Sequence, residues 1–277
     1  MCNMMTATQL VMVLSTISPT DLPSVTRAKA LYKAFRVERG FAAASPQLLT
    51  EPSANAKMDK SIQPSYGLSL SPWRLSGVLN ACMKATRGCR SLCLNTAGKG
   101  RYNSVQEGRK VKTQFLVAHP EAFLALLVHE LRRAVKRHDV PIAMRLNVLS
   151  DIQWETATPW LFEMFRDVTF YDYTKHLDRG RAPMPNYHLT MSASEMMTNL
   201  DIANLLGMGN NVTVVADKLD KVVPTHFMGH PVIDGDLTDF RPSDPKGVVV
   251  FLKPKGKAQK APRGGFVRTA DGFEVRA

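Results

Sequence analysis

The sequence has few cysteines, no long apolar run and no histidine beside its one cysteine cluster. Each shortage excludes something. No apolar stretch reaches the roughly 18 residues that a bilayer span requires, so no membrane partner is expected. Residues 10–17 are apolar, but Ser15 and Thr16 interrupt them and no basic leader precedes them. They do not read as a signal peptide, and a cytoplasmic location is the expectation. Four cysteines among 277 residues are too few for a disulfide scaffold. A hydrophobic share of 44% with 22% charged residues is enough to bury an ordinary core.

Acidic residues are also in short supply. The formal charge is +12, from 36 Lys and Arg against 24 Asp and Glu. The excess is uneven: residues 246–277 carry eight basic side chains and two acids. A field of this sign attracts polyanions, so a nucleic acid or nucleotide is the expected partner. Solubility and a loosely ordered basic tail would explain the same charge. The sequence says nothing about oligomeric state.

Apolar spacing and punctuation divide the chain. Residues 1–44 read as a small helical unit, with one helix over 8–14 and a second opening at Asp21 with Pro23 just inside it. Residues 45–64 are rich in Ser and Pro and read as a linker. Residues 65–260 read as an α/β domain, and 261–277 as a basic C-terminal tail. Within the domain, strands are expected near 67–71, 142–148, 168–173, 188–191, 212–216, 231–233 and 248–252. Helices are expected from Ser104, over 120–137, over 159–165 and over 195–206. The 120–137 segment is the clearest, with an apolar stripe of Phe123, Leu124, Leu127, Val128, Leu131 and Val135. Alternation of this kind predicts parallel strands with crossover helices, here a partial (β/α)6 TIM-like barrel.

Polar residues follow one strand after another. Asn147, Ser150 and Asp151 follow one; Asp172, Tyr173 and Lys175 the next; then Ser192, Ser194 and Glu195; then Asp217 and Lys218; then Asp234 and Asp236. In α/β barrels such groups line the active face, although Asp and Ser also cap helices. Asp172 and Lys175 are candidates for acid–base work, with a salt bridge as the plain alternative. Asp234-Gly235-Asp236 could meet a divalent cation, and is equally good turn chemistry.

Three cysteines stand close together as Cys82-x6-Cys89-x3-Cys93, in a Gly-rich and basic stretch with Lys84, Arg87, Arg90 and Lys99. Thiolates suit iron–sulfur clusters and zinc. Structural zinc wants four ligands, and the next histidine is His119. A 4Fe-4S cluster on three thiolates leaves one iron open, and nearby cations would offset its charge. The expectation is therefore metal-binding on Cys82, Cys89 and Cys93, with zinc or incidental buried thiols as alternatives.

Several motifs carry a resemblance. Residues 70–77 with the cysteine loop, 145–152, 170–175, 232–236 and 252–258 are similar, in order, to an uncharacterised bacteriophage family of the "gene product eighty-eight" type. The likeness covers roughly residues 65–270. It implies a phage origin, hence a host-cell cytoplasmic setting, and no settled activity. More distantly, a three-cysteine loop after a first strand resembles radical S-adenosylmethionine enzymes, whose open iron chelates that cofactor and whose reductive cleavage of it yields a hydrogen-abstracting radical. That superfamily usually spaces its cysteines x3 then x2, and no Gly-Gly-Glu follows the second strand here. The resemblance implies Asn147 and Asp151 at the methionine end and Ser192 and Ser194 near the ribose; Asn147, Asp151, Asp172, Lys175, Ser192 and Asp234 are the residues expected to line the cavity. The resulting expectation is a radical-SAM-like enzyme acting on a phosphate-bearing substrate. The alternatives are a nucleic-acid- or host-protein-binding protein with a structural metal, and an electron carrier.

Overall fold

The computed structural model describes residues 4–41, 47–52, 62–181 and 184–275. Cys2 and most of the expected linker lie outside the described residues.

Helix starts follow side-chain chemistry. β1 (Met5–Thr6) leads into α1 (Ala7–Ser15), where Thr6 and Gln9 form a reciprocal capping box. Ser24 caps α2 (Val25–Val37), accepting from the Arg27 amide. After β2 (Leu49–Thr50), β3 (Ser65–Leu68) and β4 (Leu79–Asn80) come the short α3 (Arg87–Ser91) and then α4 (Asn103–Ala118). α5 (Pro120–Arg137) opens on proline, ends with Lys136 and Arg137, and buries Phe123, Leu124, Leu127 and Leu131 completely. The remaining elements are β5 (Ala143–Arg145), α6 (Trp154–Ala157), α7 (Pro159–Met164), β6 (Thr169–Thr174), β7 (Tyr187–Ser192), α8 (Asn199–Gly207), β8 (Val212–Val215), β9 (His226–Phe227), β10 (His230–Asp234), β11 (Val249–Leu252) and β12 (Phe273–Glu274).

Ten strands form one mixed sheet in the order β12-β9-β10-β11-β8-β7-β6-β5-β3-β2. Its centre, from β3 to β10, is parallel. Its margins are antiparallel: β2 on β3, and β9 on both β10 and β12. A separate parallel pair joins β1 to β4. The partial barrel expected from the sequence is therefore corrected to an open mixed α/β sheet. Two features account for the difference. The outer edge of β3, where a barrel would close, is taken by β2. At the other end β10 lies outside β11, against chain order, and turns back through β9.

Parallel strands covered on both faces are apolar almost throughout. Phe170, Val212, Val214, Val249 and Val250 are fully buried. One core runs from α1 and α2 through α4 and α5 to β3, β5 and β6. Tyr32 of α2 meets Phe115 of α4 at a ring separation of 4.5 Å, and Trp160 donates its indole N–H to the Ile17 carbonyl at 2.9 Å. The N-terminal helices thus share the core of the domain. A second core joins β7, β8 and β11 to α8 and to Phe227 and Phe273. From 261 to 275 the chain packs back on the sheet, with Val267 buried and Arg268 donating to the Ser194 carbonyl at 2.8 Å. Among the described residues no single helix is long and apolar enough to cross a membrane.

Candidate functional site

The cysteine loop lies over the carboxyl ends of β5, β6 and β7. β4 delivers the chain to Cys82, and the Asp151 amide donates to the Ala81 carbonyl at 2.9 Å, tying that turn to the segment after β5. The Cys82 thiol donates to the Leu149 carbonyl at 3.4 Å and accepts from the Trp73 amide at 3.4 Å. Trp73 holds φ at 48°, a left-handed conformation that is uncommon for a bulky residue. Thr86 caps α3, accepting from the Cys89 amide at 3.3 Å.

Glu195, just beyond β7, clamps this loop from the other side. Its carboxylate accepts from the Thr86 hydroxyl at 2.7 Å and from the Gly88 amide at 2.6 Å. Burial alone would raise its pKa, but these two hydrogen bonds hold it below the usual glutamate value. Only glycine fits at 88: a Cβ there would stand 2.8 Å from the Glu195 carboxylate and 2.8 Å from the Phe266 Cβ.

Burial raises all three thiols, that of Cys82 to about 12. Each lies in the field of at least one other, since a thiolate on Cys89 or Cys93 would raise Cys82 further, and one on Cys93 would raise Cys89. Cations act against this. Lys175 favours the Cys89 thiolate, and Arg109 together with the Asn95 amide favours that of Cys93. Lys175 is itself half-buried, and desolvation lowers its ammonium pKa. It donates to the Ser192 hydroxyl at 2.8 Å and to the Ala193 carbonyl at 3.2 Å. A half-buried cation beside thiols suits an anionic, thiolate-held centre. Among the described residues, however, no three His, Cys, Asp or Glu side chains are gathered as a ready metal cage.

The other residues expected at this site divide into two groups. Asn147, Asp151 and Asp172 lie close by but are engaged in internal bonds. The Asn147 side chain accepts from Ser150 at 2.8 Å and the Ile152 amide at 2.9 Å, and donates to the Ile152 carbonyl at 2.9 Å. Asp151 accepts from Arg179 at 2.6 Å, Thr174 at 2.8 Å and the Lys175 amide at 2.9 Å. Asp172 is fully buried, accepts from the Asn147 amide at 2.9 Å and from Tyr187 at 3.0 Å, and burial raises its carboxyl pKa to about 7. These three brace the floor, whereas Lys175 and Ser192 face the cysteines. Ser194 is buried, its hydroxyl accepting from the Met196 amide at 3.3 Å. Asp234 is elsewhere: on β10 it accepts from the Asp236 amide at 2.8 Å, the turn chemistry the sequence allowed.

Four contributors were not singled out as site residues from the sequence. Glu195 was visible only as one polar residue among several after a strand. Thr86 preceding Gly88 carries a cap signal that could have been used. Arg109 sits on α4, and Arg179, which pairs with both Asp151 at 2.6 Å and Glu155 at 2.8 Å, lies after β6. Both reach their partners across the fold, so no local pattern marks them.

No curated protein and no solved structure matches the chain. The family model described as "Gene product 88" matches residues 44–269, which includes the cysteine loop, Lys175 and Glu195. The chain belongs to the gene product 88 family of bacteriophage proteins.

Proposed function

We propose that the protein is an iron–sulfur enzyme whose cluster is held by Cys82, Cys89 and Cys93, with S-adenosylmethionine as the cofactor at the open iron. The observation that carries this reading is the half-buried ammonium of Lys175 beside the Cys82 and Cys89 thiols, with Arg109 beside Cys93, at the carboxyl ends of parallel strands. The donor set is all thiol, which suits iron–sulfur chemistry, and among the described residues no fourth cysteine completes a structural zinc site. When bound, such a cluster supplies one-electron reduction and an open coordination position. The chain's own residues do the rest. Lys175 and Arg109 offset thiolate charge, Glu195 holds the loop over the strand ends, and Trp73 directs a backbone amide at the Cys82 sulfur. Ser192 fixes the Lys175 ammonium beside the thiols, where that cation would meet an anionic substrate group. Asn147, Asp151 and Asp172 keep this arrangement rigid through their internal bonds.

The test is cofactor turnover by the full chain, reconstituted with iron and sulfide and reduced with dithionite. Formation of 5′-deoxyadenosine and methionine from S-adenosylmethionine, lost in Cys89→Ala, is the expected result. A fully loaded, reduced sample that forms neither product would overturn the cofactor assignment. Stoichiometric zinc without sulfide would favour a structural metal in a binding protein.

A further inference from the structure

The surface around the cysteine loop has a charge pattern that the cluster alone does not explain. From Ile62 to Gln106 the sequence contains no Asp or Glu, but it carries Arg74, Lys84, Arg87, Arg90, Lys99 and Arg101. A second stretch without acids, 253–263, carries Lys253, Lys255, Lys257, Lys260 and Arg263. The fold joins the two. Gly256 sits so close to the cysteine loop that a Cβ there would stand 3.1 Å from the Ala97 Cβ. Leu92 packs on the small cluster of Ala258, Ala261 and Val267. Lys84, Arg87, Arg90, Arg101, Lys257 and Lys260 are exposed on the resulting face.

The carboxylates that border this face are already engaged. Glu195 clamps Thr86 and Gly88, Asp236 meets Lys255 at 2.6 Å, and Asp217 meets Arg263 at 2.6 Å. Among the described residues no salt bridge is formed by Lys84, Arg87, Arg90, Arg101, Lys257 or Lys260, so their charge dominates this face. Flat rings lie within it. The Trp73 ring has the Arg90 guanidinium 4.8 Å from its centroid and that of Arg74 at 5.8 Å. Tyr102 is 52% exposed, beside Arg101 at 5.3 Å. Cations that contact phosphates, alternating with aromatic planes on which bases stack, are the chemistry of a single-stranded nucleic-acid surface.

We infer that this face binds single-stranded nucleic acid and presents it to the cysteine centre. The substrate role of the bound strand rests on the iron–sulfur reading; the binding itself does not. Cluster content and strand binding can accordingly fail separately.

The experiment is fluorescence anisotropy of a labelled 20-nucleotide single strand with the full chain, with and without reconstitution, across a salt series. Non-specific affinity of about 10⁻⁴ to 10⁻⁶ M at physiological salt is expected. The triple variant Arg87→Glu/Arg90→Glu/Arg101→Glu should weaken it at least about tenfold and lower the salt slope by about 2, given roughly 0.7 per phosphate contact on a single strand. The variant Arg27→Glu/Lys29→Glu/Lys33→Glu on α2 makes the same change in net charge and should leave the affinity within about twofold if the face, not the total charge, is responsible. Tyr102→Ala should weaken binding by about tenfold without changing the slope. Thermal melts establish that each variant is folded. Equal loss in the two triple variants would overturn the inference. So would salt-independent binding, or binding to anionic phosphatidylserine vesicles with none to the oligonucleotide.

Discussion

Removing the Glu195 carboxylate should open the cysteine loop before it unfolds the protein. Glu195→Ala deletes the acceptor of two short bonds, from Thr86 at 2.7 Å and Gly88 at 2.6 Å. Hydrogen bonds to a charged group contribute about 1.5–3 kcal/mol each. Glu195 is only partly buried, so solvent screening reduces the pair to about 1.5–2 kcal/mol in all. That corresponds to about a ten- to thirtyfold rise in local opening. Amide hydrogen exchange at Gly88 and Cys89 reads this directly, while the amides of α5 report global stability. The expected result is faster exchange at Gly88 by that factor, with α5 nearly unchanged. Gly88→Ala should act in the same direction, because its Cβ would stand 2.8 Å from the Glu195 carboxylate. The effect also depends on pH. The folded-state pKa of Glu195 lies below the ordinary 4.5, so the clamp is fully present above that value and is lost as pH falls through the folded pKa. Unchanged Gly88 exchange in Glu195→Ala would refute the clamp.

Three further outcomes follow from the floor of the site and from the cation above it. Arg179→Met leaves Asp151 and Glu155 buried without their shared cation, and should lower stability by about 3–5 kcal/mol in urea unfolding; a change under about 1 kcal/mol would show that the pair is not buried in solution. Burial raises the Asp172 carboxyl from 3.8 to about 7, so its protonated form is favoured by folding. Its stabilising contribution is full below about pH 4 and is lost as pH rises through about 7, so Asp172→Asn should flatten the stability profile between those values, and an unaltered profile would count against the assignment. Lys175→Met removes the cation that favours the Cys89 thiolate, so alkylation of metal-free protein at Cys89 should shift to higher pH; a shift to lower pH would contradict the placement of Lys175.

Much of this architecture was legible in the sequence because the signals were local. Pro120 and the late Lys136 and Arg137 marked α5 to the residue, and the β-branched and aromatic runs marked β6, β8 and β11. The sheet's margins were not legible. β2, β9 and β12 are two-residue strands, too short to show alternation, and they are what makes the sheet mixed rather than all parallel. The site shows the same division. Cys82, Cys89 and Cys93 announce themselves by spacing, and Lys175 by its place after a strand. Whether a polar residue faces the cysteines or braces the segment beneath them depends on partners far away in sequence. Asn147 and Asp151 read from the sequence as cofactor-binding residues; in the fold they bond to Ile152, Ser150, Thr174 and Arg179, partners no local pattern marks.

The most direct test of the central assignment is iron and acid-labile sulfide content of anaerobically purified protein, with visible absorption and EPR before and after dithionite. The structure's three thiols and their neighbouring cations predict roughly four iron and four sulfide per chain, a broad band near about 400 nm and a signal in the reduced state, all lost in Cys82→Ala, Cys89→Ala or Cys93→Ala. Protein that takes up neither iron nor sulfide under reconstitution, or one that holds a single zinc through the same cysteines, would contradict it.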